Sequence, residues 1–216
     1  MLSAVITQLQ ALFDLGGPVV ILLLAVSVLT LAVVLYKLWQ FSAAHVGRHR
    51  ALRDAVAAWD SGDRTSARQA LDRSRSYLAP IVAAAFESRE KDLLQAMAEE
   101  QFATLERGFR FLDSVAQLAP LLGLFGTVLG MIEAFQSLQD AGAQVDPSLL
   151  AGGIWVALLT TAVGLVVAMP TALVLAWFEG RMESERVVAD TFILTALAPS
   201  GSTAAAAPPD VVPAHV

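Results

Sequence analysis

The chain has 216 residues, 56% hydrophobic and 16% charged, with a mean hydropathy of +0.62, which is too apolar for an ordinary soluble domain and points to a polytopic membrane protein. The net charge of −6 gives no reason to expect a nucleic-acid partner, and the absence of Cys excludes disulfides, thiol catalysis and Cys-based metal sites.

Residues 2–14, LSAVITQLQALFD, carry apolar positions at helical spacing and predict an outside interfacial helix over 1–17, ended by Gly16-Gly17-Pro18. No basic region precedes these apolar residues, which argues against a cleavable signal peptide. The charge-free run Leu15–Tyr36 predicts transmembrane helix 1 over 18–38, since a crossing needs about 20 apolar residues.

Residues 39–112 read as a cytoplasmic helical domain. RHRALRDAVAAWDSGD places Leu52, Val56 and Trp59 on one face and stops at Ser61-Gly62, and Asp63 is positioned to cap the helix that follows. A third helix is expected from near Pro80, running unbroken into the second span. His45 and His49 have the i, i+4 spacing of two metal ligands, but beside Arg48, Arg50 and Arg53 they read as an exposed basic face, so no metal is expected.

Ser114–Ile132 predicts transmembrane helix 2 over 113–136, followed by an outside loop at 137–148. The charge-free run Pro147–Phe178 holds 32 residues, about 48 Å as a helix, too long for one crossing and too short for two. It is read as transmembrane helix 3 over 149–178 with a cytoplasmic extension. Residues 179–216 form a cytoplasmic C-terminal segment ending in a small, Pro-rich tail expected to be disordered. All 14 Lys and Arg lie in Lys37–Arg110 or at Arg181 and Arg186, which puts the N-terminus outside and the C-terminus in the cytoplasm. The fold class is therefore an all-α membrane protein with three transmembrane helices and long cytoplasmic helical extensions.

Chemistry is concentrated in LAPLLGLFGTVLGMIEAF and GGIWVALLTTAVGLVVAMP. Gly123, Gly126 and Gly130, with Gly164 on the third span, suit close helix packing, and Pro170 should loosen its helix where neighbours can satisfy the freed carbonyl. GLFGTVLG lacks the Lys-Ser/Thr of a phosphate loop. Thr127 lies roughly 13 Å and Thr161 roughly 18 Å from the outer ends of their spans, near the middle of a core of about 30 Å. Each hydroxyl could simply bond back to its own helix. Hydroxyls at similar depth on successive helices, doubled at Thr160-Thr161, favour a polar belt lining an ion path. Glu133 is a costly carboxylate inside a span, though within a turn of its outer end, where it can snorkel. No nucleophile–base–acid set is apparent, so no catalytic residue is assigned and an enzyme is not expected.

Those two segments resemble the paired signatures of the ExbB/TolQ/MotA proton-channel family, nearest its ExbB branch, with the resemblance covering Asp60 to about Arg181 and including GDRTSARQAL. Three spans with the N-terminus outside are similar to ExbB or TolQ, whereas MotA members have four. The resemblance implies a pentameric ring in the bacterial inner membrane, surrounding an ExbD-like single-span partner that carries a protonatable Asp. Proton flow past that Asp would drive motion, passed to a TonB-like protein that energises outer-membrane transport. It also implies that threonines matching Thr127 and Thr161 line the inner surface of the ring. A hydroxyl can hold water beside a titrating carboxylate without adding charge. Many members carry Glu where this chain has Val156, so either the partner's Asp titrates alone, with Glu133 attracting cations at the outer mouth, or Glu133 substitutes. A non-conducting scaffold, a TolQ-like envelope motor and a sodium-driven motor are the alternatives. No cofactor is implied.

Overall fold

The computed structural model describes residues 2–88, 90–141 and 147–200, and its regular structure is helical throughout those residues. Residues 201–216 of the expected tail, residues 142–146 of the outside loop and the side chains of the N-terminal helix lie outside what is described. The helices are α1 (Leu2–Ala43), α2 (Arg50–Asp60), α3 (Arg64–Asp72), α4 (Ala79–Glu87), α5 (Lys91–Glu106), α6 (Phe109–Ala141) and α7 (Pro147–Leu197). They fall into two units, one of residues 1–37 and 108–179, the other of 38–107 and 180–216.

The first unit is apolar. Three helices are long and apolar enough to cross a bilayer: Gly17–Ala43, Phe109–Asp140 and Leu150–Leu197. The protein is an all-α membrane protein. α1 kinks at Gly17, whose φ of 64° and ψ of −169° lie where a Cβ would clash, and Pro18 restarts the helix because its missing N–H costs nothing in a first turn. Val19 and Leu23 of α1, Val115 and Ala119 of α6, and Val167 and Ala168 of α7 form a buried cluster. Along α6 and α7 the buried positions recur every three or four residues: Leu112, Val115, Ala119, and Ala157, Thr160, Gly164, Val167. That periodicity puts them on one stripe of each helix. The remaining faces expose Leu121, Phe125 and Val128 on α6, and Leu158, Val166 and Leu173 on α7. Such a pattern suits spans that meet lipid or other spans.

The second unit is amphipathic. α2 buries Leu52, Ala55, Val56 and Trp59, in keeping with its sequence pattern. Trp59 stacks on Phe86 at 4.0 Å between centroids, and its Nε1–H donates to Ala196 O at 3.0 Å. Asp63 caps α3, its Oδ1 accepting the Ser66 N–H at 3.0 Å. Phe102 of α5, with Met182, Phe192 and Ile193 of α7, is buried in the same unit. Each such side chain contributes about 1.5–3 kcal/mol.

Two expectations are corrected here. The helix expected to run unbroken from Pro80 into the second span is three helices, α4, α5 and α6. Ser88 is extended (φ −107°, ψ 148°) and its Oγ accepts the Glu90 N–H at 3.2 Å, a local bond that competes with helix continuation. Gly108, at φ +94°, makes the second break. The other correction concerns His49. It does not lie on an exposed basic face but is 3% exposed, bonded to Ser76 and Glu185. His45 takes a positive φ of 54° and bonds to Ala43 O. No group of three metal-binding side chains occurs among the described residues.

Candidate ion-path site

The small residues of α6 and α7 set how close these two helices come. A Cβ at Gly126 would lie 2.6 Å from Thr160 Oγ1, one at Gly123 2.9 Å from Thr160 O, and one at Gly164 2.6 Å from Ala119 O. Gly130 lies against Ala157, and Gly153 against Ala134. Gly123, Gly126 and Gly130 of α6 thus meet successively earlier residues of α7, Gly164, Thr160 and Ala157, so the pair is antiparallel in a defined register. In that register Thr127 is level with Thr160. Glu133 and Val156 differ by two positions, about 3 Å of rise.

The three threonines have different surroundings. Thr160, 1% exposed, sits inside the α6–α7 contact and donates to Ala157 O (2.7 Å) and Gly123 O (3.1 Å). Thr161 is half-buried, and its Oγ1 lies 3.3 Å from Gly123 O. Thr127, also half-buried, donates to Leu124 O of its own helix at 2.6 Å. Each hydroxyl has one proton and that proton is already engaged by a carbonyl, so what Thr127 and Thr161 still offer is oxygen lone pairs. Such oxygens accept hydrogen bonds from water and coordinate hard cations.

Glu133 is exposed, and its carbonyl accepts from Ser137 Oγ at 2.9 Å. Pro170 is exposed as well and leaves α7 unbroken. It lines a cavity of about 190 Å³ with Ser27, Thr30, Val166 and Thr171. Sequence reasoning missed the buried Thr30 and Thr171, which donate to Val26 O and Val167 O, each at 2.7 Å. Their only sequence signal is a hydroxyl within a charge-free run.

The fold defines a class: a helical membrane protein whose spans pack through glycines, with hydroxyl oxygens on the flank of the packed seam. The MotA/TolQ/ExbB proton channel family matches residues 58–190. An ExbB-like biopolymer transport protein of Synechocystis is 32% identical over 181 residues, covering 78% of this chain and 71% of that protein. The biopolymer transport protein ExbB of Neisseria meningitidis is 28% identical over 77% of this chain and 84% of its own length. The Tol-Pal system protein TolQ of Haemophilus influenzae is 41% identical over a shorter stretch, 34% of this chain and 32% of that one. The chain belongs to the MotA/TolQ/ExbB proton channel family.

Proposed function

We propose that this chain is the ring subunit of an inner-membrane motor driven by the proton motive force. Five copies would surround an ExbD-like single-span partner carrying a protonatable Asp, and a TonB-like protein would carry the work to outer-membrane transport. The observation that carries this reading is the pair Thr127 and Thr161. They are half-buried at nearly one level on two antiparallel spans, with lone pairs free to hold water while the flanking faces stay apolar. Thr160, enclosed between the helices, holds the seam in register instead of facing the path.

Val156 cannot take a proton, so titration falls to the partner's Asp, with Glu133 drawing cations to the outer mouth. The Lys and Arg distribution supports an outside N-terminus, with the second unit and the C-terminus in the cytoplasm. A TolQ-like envelope motor is the second reading, favoured by the 41% identity to the Haemophilus TolQ.

The test is ion flux into vesicles holding this chain and its single-span partner under a pH gradient, wild type against Thr161→Val. Loss of flux with the complex still assembled is expected. Unchanged flux would make Thr161 a packing residue and remove the argument for the path. Flux that follows a sodium gradient instead would keep the path and change the ion.

A further inference from the structure

His49 has a setting that the ion path does not use. It stands at the N-cap of α2, and its Nε2 lies 2.7 Å from Glu185 Oε2 on α7. The Tyr77 O–H donates to the same oxygen at 2.9 Å, and Arg181 Nη2 lies 3.5 Å from Oε1. Nδ1 lies 2.9 Å from Ser76 Oγ, which also accepts the Leu78 N–H at 3.2 Å. The rings of Tyr77 and Phe192 stand T-shaped to the imidazole, with centroids 6.2 and 6.3 Å away. The Gly47 N–H points at Nε2 from 3.3 Å. One imidazole thus joins three separate pieces of chain: the α1–α2 connection, the turn before α4, and α7.

The proton arrangement follows from the partners. A carboxylate only accepts, so at 2.7 Å Nε2 carries hydrogen toward Glu185, and the more distant Gly47 N–H then meets a second donor instead of a lone pair. Nδ1 is open to both states. In the neutral ring it accepts from the Ser76 hydroxyl; in the charged ring it donates to Ser76 Oγ, whose hydrogen turns away. Uptake of one proton at Nδ1 therefore needs no heavy atom to move. It places a positive charge against a carboxylate that is 3% exposed, and whose other cation, Arg181, is 39% exposed. The next cation along α7, Arg186, is engaged elsewhere, with Glu106 at 2.7 Å and Glu99 at 3.5 Å on α5. Arg48 and Arg50, either side of His49, are exposed.

We propose that His49 is a proton-controlled clasp: protonation at Nδ1 tightens the hold of the α1–α2 connection and the Ser76–Tyr77 turn on the Glu185 stretch of α7, and deprotonation loosens it. Histidine is the side chain suited to such a change between about pH 5 and 8. The clasp stands on the second unit alone and does not depend on the ion path.

The test is hydrogen exchange read by mass spectrometry on the intact chain in a lipid nanodisc, at about pH 5.5 and about pH 8, after correction for intrinsic exchange. Peptides covering residues 179–197 should be more protected at the lower pH, by about fivefold, because a hydrogen bond from a charged donor holds more tightly than one from a neutral donor. Peptides from 115–135 serve as the reference and should not respond. The response should vanish in His49→Gln, shrink in Ser76→Ala and return in Ser76→Thr. A flat wild type, or a response that survives in His49→Gln, overturns the clasp. If His49→Gln fails to fold, the Ser76 pair decides: equal responses in Ala and Thr variants overturn it.

Discussion

Thr160 donates to two carbonyls from inside the α6–α7 contact, while its neighbour Thr161 reaches Gly123 O at 3.3 Å from the half-buried flank. Thr160→Val should therefore cost about 1 kcal/mol, the ordinary net value of a buried hydrogen bond, and lower the thermal midpoint of the purified protein. Thr161→Val should leave that midpoint nearly unchanged while removing flux. A midpoint that falls equally in both would put Thr161 in the seam. Glu185 makes the fold sensitive to acid. Burial opposes its charge, but bonds from His49 and Tyr77, aided by Arg181, outweigh it and hold the carboxyl below its ordinary value of 4.5. Its contribution to stability is complete above that ordinary value and is lost as pH falls through the lower folded value. Tyr77 has the opposite sign. Burial and the Glu185 charge push its phenol above the ordinary 10, so its contribution is present below that value and is lost as pH rises through the higher folded value. Circular dichroism melts from pH 3 to 7 should show the acid loss in wild type and a smaller one in Glu185→Gln, where Asp63, held low by its bonds to Ser66, still contributes. That variant should be less stable at neutral pH by about 3 kcal/mol, as expected for breaking a buried pair.

Helices α6 and α7 approach closely because glycine stands where any side chain would meet backbone. Gly164→Ala would bring a Cβ to 2.6 Å from Ala119 O, a backbone atom that cannot swing aside, whereas Gly152 has nothing within 4 Å of its Cβ position. The first substitution should destabilise by about 1–3 kcal/mol and the second by less than about 0.5 kcal/mol. Thermal melts of the two variants in detergent check this, and equal effects would mean that the seam tolerates expansion. The existence of these helices was legible in the sequence. The breaks within the charged stretch were not. Gly108 lies in ERGFR, where a lone glycine in a helical pattern is usually tolerated, and Ser88 carries no signal beyond its capacity to bond its own backbone.

Across the whole molecule, the exposed Trp155 and Trp177 of α7 are 22 residues apart, about 33 Å of helix, close to the thickness of a bilayer's hydrocarbon core. Tryptophan favours the two interfaces, so both should sit at headgroup level. Quenching by depth-placed brominated lipids, in variants retaining one of the two, should find each shallow; a deep Trp177 would shift the span toward the C-terminus. The ring reading predicts a complex of about 115 kDa by native mass spectrometry, five times the 22.9 kDa chain, before any partner is added. A stable dimer or trimer would remove the ring geometry on which the path depends.

By itself the sequence determined the all-α membrane class, the three charge-free spans and the family. Burying charge in lipid is expensive at each residue, so a run without charge declares itself without reference to the rest of the chain. The paired hydroxyl signature of the candidate site was legible for the same reason. Only the tertiary structure decided which of two adjacent threonines lies inside the α6–α7 contact. It also decided that His49 meets a carboxylate 136 positions away in place of solvent. A side chain's surroundings depend on the register between helices distant in sequence, which neither composition nor local periodicity records.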